Sequence, residues 1–531
     1  MKSSLLNKKL VALSTSVFLA VGLAIVPTTA QAAIDCANLD GVKTCSGATS
    51  DGAKYVMMIP DKYNGTMFLY SHGYRYNQDV PPINYTVASV TNNPLPTPTP
   101  VSPTDMTVAQ YLLAKGYAVA GSAYATQGWN AEAAVATNVE LINTFKKNFK
   151  TKKVVAWGES EGGFISQALA EQHPELVSAA GLICPALGDV RAELGAAGDA
   201  LWGLKTFFDP TIKGQGYSHG AAGDMEALQD LGKIAAVGAA LQKSIVTNEW
   251  PATSGAAGQA LKAIPPRSAI LMIALMAGVP LKSAHFDGVT GPGAPTSSAY
   301  TSFATAAQPA LAALENIGAV AALAVLGTRD VEAQVGGAFF DNSDTDYAKR
   351  VADDAVTYNA ALSGNSAIKG MLSFISPLNP AAPRFKANPL GKEELSWFMS
   401  NSGQVNVPTL VIHGTSDPAV PAGNTQWLVD RYNKSRAKGA KQMLTVFWNH
   451  APESYTKFTA TGLPDASGPA ATGTNHYNFT NTQIVAFAEA LMEVAKSGNT
   501  KPTKNMKRMA GIAQSEIDPG YRPPLLPYYA N

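Results

Sequence analysis

The chain contains little cysteine and little charge. Only three of its 531 residues are cysteines, and their spacing does not suggest a zinc site. Charged residues make up 15% of the chain and the formal net charge is +1, so the basic surface expected of a nucleic-acid-binding protein is not predicted. Hydrophobic residues make up 46%, a value typical of globular proteins with a large core. We therefore expect neither a nucleic-acid partner nor a metal.

Long apolar runs are also few. One covers residues 11–26, after a start that contains lysines, and an A-x-A sequence follows it at residues 30–32. This arrangement predicts a secretory signal peptide over residues 1–32, cut before Ala33. An N-terminal membrane anchor is the alternative, which the short run and the cleavage sequence disfavour. The mature chain is expected to be secreted or periplasmic, with no stable membrane anchor.

The three cysteines differ in their surroundings. Cys36 and Cys45 lie close together near the start of the mature chain, and we expect them to pair in an oxidising compartment. Cys184 lies in the apolar run 179–184 and is predicted to be a buried thiol.

A G-x-S-x-G sequence at residues 158–162 carries the main functional signal. The four apolar residues 154–157 before it are typical of a short buried strand, and a helical segment follows it. A strand, a tight turn with serine at its apex and a helix together form a nucleophile elbow. The pattern therefore predicts Ser160 as the nucleophile and the backbone amide of Glu161 as a donor to an oxyanion.

The same pattern occurs a second time, at residues 216–220, with Ser218 at its centre. Residues 208–215 before it contain proline, glycine and charge, which is unlike a buried strand. Ser218 and the adjacent His219 are therefore predicted to be an ordinary pair of loop residues.

A histidine-glycine pair follows the strand predicted at residues 66–70. Hydrolases that use a nucleophile elbow place a second oxyanion donor after an early strand of this kind. The backbone amide of Tyr74, directly after His72 and Gly73, is the candidate for that donor.

A serine nucleophile needs a base, and the base needs an orienting acid. Asp417, in a loop after the strand predicted at residues 407–414, is the predicted acid; Asp189, after an earlier strand, is its rival. His476, just before the last predicted core helix, is the predicted base, and His450 is its rival.

These motifs together resemble the α/β-hydrolase superfamily, and in particular its secreted serine hydrolases with a large helical cap. The resemblance covers about residues 50–190 and 402–497. It implies an α/β fold with a mostly parallel, doubly wound sheet, which the alternation of predicted strands and helices also favours. The expected parts are a signal peptide (1–32), a first core part (33–188), a helical cap inserted after the strand that follows the elbow (189–401), a second core part (402–499) and a C-terminal tail (500–531).

The predicted cap has alanine-rich helical segments at residues 225–245, 268–277, 309–326 and 347–362. The apolar run 270–277 within it is too short to span a bilayer. It is interpreted as the buried core of the cap, with an apolar wall facing the substrate as the alternative.

Two acidic features allow more than one interpretation. Glu161 stands where the superfamily usually has an uncharged residue; it can pair with Arg75 or bind a cationic group of a substrate. The acidic run 341–346 invites a calcium interpretation but lacks the glycine and the terminal glutamate of an EF-hand loop. A polar turn that caps a helix at Tyr347 is the interpretation that we favour.

The expected function is that of an exported serine hydrolase that cleaves a small or oligomeric carboxylic ester through an acyl-enzyme and needs no cofactor. A serine exopeptidase on the same fold is the alternative. A binding protein that has kept the fold without the chemistry is a third possibility, which the complete Ser/Asp/His set disfavours.

Overall fold

The computed structural model describes residues 34–77, 93–99, 107–294, 296, 307–353 and 365–530. The predicted signal peptide and the second half of the helix predicted at 347–362 lie outside the described residues.

A nine-stranded sheet forms the centre of the fold, in the order β1-β2-β3-β5-β4-β6-β7-β8-β9. The first three strands and β5 pair antiparallel, and every pairing from β5–β4 to β8–β9 is parallel. The strands are β1 (Asp35–Leu39), β2 (Val42–Ala48), β3 (Lys54–Pro60), β4 (Thr66–Ser71), β5 (Ala118–Ser122), β6 (Lys153–Glu159), β7 (Ala179–Ile183), β8 (Thr409–Gly414) and β9 (Leu444–Asn449). A separate small hairpin follows, β10 (Lys457–Phe458) with β11 (Pro464–Asp465).

The predicted fold class is confirmed. Strands β4, β6, β7, β8 and β9 are completely or almost completely buried, and helices cover the sheet on both sides, as a parallel sheet requires. The helices between the early strands are α1 (Val108–Ala114), α2 (Ala131–Asn148) and α3 (Glu161–Gln172). Asn130 directly precedes α2, but its side chain makes no capping bond; its side-chain amide donates to the carbonyl of Thr126.

The β1–β2 hairpin was not predicted. Every residue of β1 is exposed, so the strand has no alternation of apolar and polar residues that would reveal it. The available signal was the Asp40-Gly41 turn, in which both residues have positive φ (48° and 77°), the geometry of a two-residue hairpin. Cys36 lies opposite Cys45 in this hairpin, and a disulfide joins them.

Helices fill the chain between β7 and β8. They are α4 (Arg191–Phe207), α5 (Ala221–Thr247), α6 (Gly255–Ala260), α7 (Pro266–Ala277), α8 (Gln308–Val335), α9 (Tyr347–Arg350), α10 (Asn365–Phe374) and α11 (Pro389–Leu395), with a 3₁₀ turn at Ala252–Ser254. Every described residue of α7 except Arg267 is buried, in a hydrophobic core separate from that of the sheet. The run 270–277 is therefore core, as interpreted, and only its last residue, Ala277, also reaches the cleft described below. Helix α4 was missed by the sequence interpretation.

Among the described helices, α8 is the one that is long and apolar enough to cross a membrane by length and composition alone. More than half of its most apolar stretch is buried inside the protein, where it packs against α4, α5 and α7. Packing as a core helix therefore accounts for its apolar composition.

The chain ends with α12 (Gly423–Ser435), α13 (Asn481–Ser497), α14 (Lys504–Ile512) and α15 (Pro527–Ala530). The predicted C-terminal tail is integrated into the core: Met506 is 1% exposed, Leu526 is 2% exposed, and the backbone of Glu516 exchanges two hydrogen bonds of 2.8 Å with Trp448 on β9.

Candidate active site

Ser160 lies at the apex of the turn between β6 and α3. Its φ of 54° and ψ of −123° are a conformation that side chains rarely adopt, and this strain marks the nucleophile elbow. The glycines on either side, Gly158 and Gly162, are required because backbone carbonyl oxygens lie too close to them for a side chain. A Cβ at Gly162 would stand 2.0 Å from the carbonyl oxygen of Ser71, and one at Gly158 would stand 2.4 Å from that of Gly162. Only glycine fits at both positions.

Asp417 and His476 form a hydrogen-bonded pair. The Asp417 side chain is fully buried, and its Oδ2 lies 2.7 Å from His476 Nδ1. The other carboxylate oxygen, Oδ1, accepts the amides of Ala419 at 2.9 Å and Val420 at 3.0 Å. These three hydrogen bonds hold the carboxylate in place, and the His476 ring is left with Nε2 available for proton transfer.

A backbone link holds the two loops together. The amide of Ser416, next to Asp417, donates to the carbonyl of Gly473 at 2.8 Å, and Ser416 forms an isolated parallel bridge with Thr474. Helix α13 then begins at the capping box formed by Thr480 and Gln483. The sequence signal for this arrangement is weak, because residues 460–475 have no regular pattern.

The His476 imidazole is tuned by its surroundings. Burial lowers its pKa, but the charge of Asp417, the hydrogen bond to it and the nearby carboxyl of Glu159 outweigh burial, so the pKa is raised above 6.5. Glu159 directly precedes Ser160. Its effect on the pKa of His476 therefore also indicates that the loop containing His476 lies beside the elbow. The Ser160 hydroxyl has no hydrogen-bond partner among the described residues.

The two predicted oxyanion donors flank Ser160. A Cβ at Gly73 would lie 3.2 Å from the Cβ of Ser160, so the His72-Gly73-Tyr74 turn passes close to the Ser160 side chain. Within the described residues, neither the Tyr74 amide nor the Glu161 amide donates to another protein atom. Glu161 begins α3, where the helix dipole also favours negative charge. His72 itself is buried and stays neutral, since burial lowers its pKa to about 3.

The three rival residues lie in other surroundings. The Ser218 hydroxyl donates to Glu226 at 2.9 Å in the loop before α5. Asp189 is paired with Arg191. His450 packs edge-on against Tyr521, with ring centroids 4.7 Å apart.

The expected pair of Glu161 with Arg75 is not among the ion pairs of the described residues. Glu161 accepts the amide of Asn130 at 2.9 Å. Burial lowers the pKa of Arg75, and the carboxylate whose charge acts against this lowering is that of Glu159. The pairing interpretation is therefore corrected: the guanidinium lies near the residue before the nucleophile, and Glu161 lies near Asp330.

A buried polar group beneath the elbow was missed by the sequence interpretation. Glu159 Oε1 accepts the Tyr70 hydroxyl, and its Oε2 is buried without a hydrogen-bond partner. Burial raises the pKa of Glu159 to about 7, against the lowering effect of Tyr70, His476 and Arg75. The position of Glu159 inside the G-x-S-x-G motif was the available signal, since that residue must lie under the serine.

A cleft opens in front of Ser160, between α4, α7, α8 and the loop after Asp417. Its space, counted out to the open mouth, is about 940 Å³. The lining is mostly small and apolar, including Ala186, Val190, Leu194, Ala197, Val331 and Val420. Glu161 and Glu193 are the acidic residues of the lining, and no lysine, arginine or histidine is among its described residues. Such a cleft suits a substrate with a substantial apolar part.

Two groups of residues contain side chains of the kinds that bind metal ions: the acidic run 341–346, and a buried group next to the site. Asp346 caps α9 by accepting the amide of Lys349 at 3.0 Å, in agreement with the polar-turn interpretation. Among the described residues, Cys184, His413 and Asp417 lie close enough together to hold an ion. However, Asp417 is bound as above, and both His413 ring nitrogens are engaged, with Thr425 at 2.7 Å and the carbonyl of Val420 at 2.8 Å.

Burial of Glu161 makes stability depend on pH. Glu161 is 3% exposed, and burial raises its pKa from 4.5 to about 8, aided by the charge of Asp330. Between pH 4.5 and about 8, Glu161 is protonated in the folded state and ionised in the unfolded state. The free energy of unfolding therefore falls as the pH rises through this range. We expect Glu161→Gln to remove a slope of up to about 1.4 kcal/mol per pH unit in urea unfolding. The exposed Glu175→Gln is the control and should leave the slope unchanged; an equal slope in all three proteins would contradict this expectation.

The sheet order, the strained serine between β6 and α3, and the Asp417–His476 pair after β8 and β9 define the α/β-hydrolase fold. No protein-family model and no curated protein sequence matches the chain.

Several solved structures are similar to it. An esterase from Aspergillus oryzae is 12% identical with a TM-score of 0.36, over 86% of this chain and 80% of that one. The rice cell wall degrading esterase LipA from Xanthomonas oryzae is 12% identical with a TM-score of 0.28, over 77% and 82%. A prolyl endopeptidase is 15% identical with a TM-score of 0.21, and the match spans 28% of this chain and only 22% of that one.

Proposed function

We propose that the chain is an exported serine hydrolase that cleaves carboxylic esters through an acyl-enzyme. The hydrogen bond of 2.7 Å between Asp417 and His476, together with the strained elbow conformation of Ser160, is the observation that carries the proposal. Residues 1–32 are proposed to direct export, and the mature enzyme is proposed to act as a soluble protein on a small or oligomeric ester.

In the proposed reaction, Ser160 Oγ attacks the ester carbonyl carbon while His476 Nε2 takes the hydroxyl proton. Asp417 holds the imidazole in the required tautomer and stabilises its positive charge. The amides of Tyr74 and Glu161 donate to the oxyanion. The C–O bond to the alcohol then breaks, and His476 returns the proton to the leaving alcohol. Water, deprotonated by His476, attacks the acyl-enzyme carbonyl. The bond between the acyl carbon and Ser160 Oγ then breaks, His476 returns the proton to Ser160 Oγ, and the carboxylic acid leaves.

The test is labelling with a fluorophosphonate probe. We expect the purified mature protein to be labelled at Ser160 and Ser160→Ala to be unlabelled, because the probe reacts only with an activated serine. Ser218→Ala is the matched control and should be labelled like the wild type. An unlabelled wild type would support the binding-protein alternative, and loss of labelling in Ser218→Ala alone would refute the choice of nucleophile.

A serine exopeptidase is the second candidate, because the carboxyls of Glu161 and Glu193 line the cleft and could bind a substrate amine. Comparing p-nitrophenyl esters with aminoacyl p-nitroanilides separates the two activities. Turnover of the anilides at rates comparable to those of the esters would favour the peptidase.

A further inference from the structure

Asp330 lies on α8, in the helical insertion between β7 and β8, and is 1% exposed. Its Oδ2 accepts the hydroxyl of Tyr74 at 3.0 Å and the backbone amide of Trp129 at 2.9 Å. Its Oδ1 accepts the side-chain amide of Asn77 at 2.5 Å and that of Gln334, one turn further along α8, at 3.0 Å. Three of these four donors belong to loops of the sheet core, so the carboxylate joins the insertion to the core.

The two core loops bonded to Asp330 are also bonded to each other. The amide of Gly128 donates to the carbonyl of Arg75 at 2.8 Å. A Cβ at Gly128 would stand 2.5 Å from Asp330 Oδ2, so the backbone lies directly against the carboxylate. The loops 74–77 and 128–130 and the middle of α8 therefore form one hydrogen-bonded unit.

This unit contacts both residues whose amides are the candidate oxyanion donors. Tyr74 is bonded to Asp330 through its hydroxyl, and among the described residues no other hydrogen bond of that hydroxyl is found. Glu161 Oε1 accepts the amide of Asn130, the residue after Trp129, at 2.9 Å. The position of Asp330 is therefore linked to the position of both donors relative to Ser160.

A second buried carboxylate on α8 shows what a purely structural role looks like. Glu332, two residues further on, is 2% exposed and accepts the backbone amides of Gly216 at 2.6 Å and Tyr217 at 2.8 Å. Both partners belong to the helical insertion itself. Glu332 thus ties the insertion to itself, whereas Asp330 ties it to the loops beside the nucleophile.

We propose that Asp330 is a positioning residue for the oxyanion donors, and that it holds the Tyr74 amide in place relative to Ser160. The proposal rests on the proposed function in naming these donors and the nucleophile. Gly327 and Val331, on the same stretch of α8, line the cleft. One helix therefore forms a wall of the cleft and also anchors the loop that stabilises the oxyanion.

Loss of this anchor is expected to lower kcat more than it changes KM, because oxyanion donors bind the transition state more strongly than the ester. Removing one donor completely lowers kcat by about 10²–10³-fold, and a misplaced donor loses part of this effect. For Asp330→Ala we expect kcat for p-nitrophenyl butyrate to fall at least about tenfold, with KM within about threefold of the wild type.

Asp330→Asn is the conservative variant that should restore the function. Its side-chain oxygen can still accept the Trp129 amide and the Tyr74 hydroxyl. Its NH₂ group can donate to Asn77 and Gln334 once their side-chain amides turn over. We expect its kcat to stay within about threefold of the wild type, since the proposal requires the position of the loop and not the charge.

Glu332→Ala is the matched control, at a carboxylate equally buried on the same helix. Both alanine variants are expected to be less stable in urea unfolding, because each leaves buried amides without an acceptor. Only Asp330→Ala should lose kcat. Hydrogen exchange followed by mass spectrometry is the second readout: the amides of residues 73–77 and 128–130 should exchange faster in Asp330→Ala and at the wild-type rate in Glu332→Ala.

An unchanged kcat in Asp330→Ala would overturn the proposal, as would an equal loss in Glu332→Ala or in Asp330→Asn. If Asp330→Ala does not fold, Tyr74→Phe decides, because it keeps the ring and the backbone amide but loses the bond to Asp330. We expect its kcat to fall at least about threefold, and an unchanged kcat refutes the positioning role.

The exchange measurement separates this proposal from the esterase proposal. A wild type that hydrolyses no ester, with faster exchange at residues 73–77 in Asp330→Ala, would remove the esterase proposal and leave the anchoring of the loop by Asp330 standing. Exchange at the wild-type rate in Asp330→Ala would refute the anchor whatever the activity.

Discussion

His476→Ala is expected to lower kcat for p-nitrophenyl butyrate by about 10⁵-fold or more. In the proposed reaction the imidazole takes the Ser160 proton and returns it to the leaving alcohol, and Asp417 already occupies its Nδ1. Without it the hydroxyl has no acceptor for its proton, and only binding and the oxyanion donors continue to promote the reaction. Steady-state kinetics on the purified mature protein measure the loss, with circular dichroism to verify the fold.

His450→Ala is the matched control for this prediction. His450 follows β9 and packs against the ring of Tyr521, in a position that the proposed reaction does not use. We expect kcat within about threefold of the wild type, since the substitution removes only a peripheral ring contact. A large loss in His450→Ala with activity retained in His476→Ala would reverse the assignment of the base.

Asp417→Asn is expected to lower kcat on the order of 10³–10⁴-fold. The asparagine oxygen can still accept the amides of Ala419 and Val420, so its NH₂ group faces His476 Nδ1. Nδ1 must then accept a hydrogen bond, the ring proton moves to Nε2, and the imidazole can no longer act as a base toward Ser160. Asp189→Asn, at an aspartate paired with Arg191, is the control, and we expect it to change kcat less than tenfold.

The pH profile gives Asp417→Asn a second readout. The base must be neutral, so kcat/KM of the wild type rises with pH through the pKa of His476, which lies above 6.5. Removing the charge of Asp417 leaves burial as the dominant effect, and burial lowers the pKa of an imidazole. The midpoint of the residual activity should therefore move to lower pH. A midpoint that stays in place or moves upward would show that Asp417 does not set the charge of His476.

The elbow could be predicted from the sequence because its signals are local. A buried strand, a turn that excludes Cβ atoms and a helix occur within 12 residues, and strand context separates Ser160 from Ser218. Asp417 and His476 required one more step, their order along the chain after Ser160. Their contact, across 59 residues, depends on the link between Ser416 and Gly473, for which no local pattern exists.

The charges around the elbow could not be predicted in this way. The partner of Glu161 was expected to be Arg75 because both residues belong to site loops, whereas in the structure the carboxyl near that guanidinium is Glu159. Which of two glutamates on either side of a serine faces a given arginine depends on the direction of the strained turn. Glu193 was missed because it lies on α4, in a helical insertion whose apolar pattern does not distinguish a core face from a cleft wall.

The sequence by itself determined the succession of core strands from β3 to β9, the parallel part of the sheet and the nucleophile elbow. The physical reason is that periodicity, turn chemistry and steric exclusion act between neighbouring residues. Only the tertiary structure decided the shape of the cleft, the integration of the tail and the burial of Glu161 near Asp330. These features arise from packing between segments far apart in the chain, and burial among them determines whether an acidic side chain is ionised.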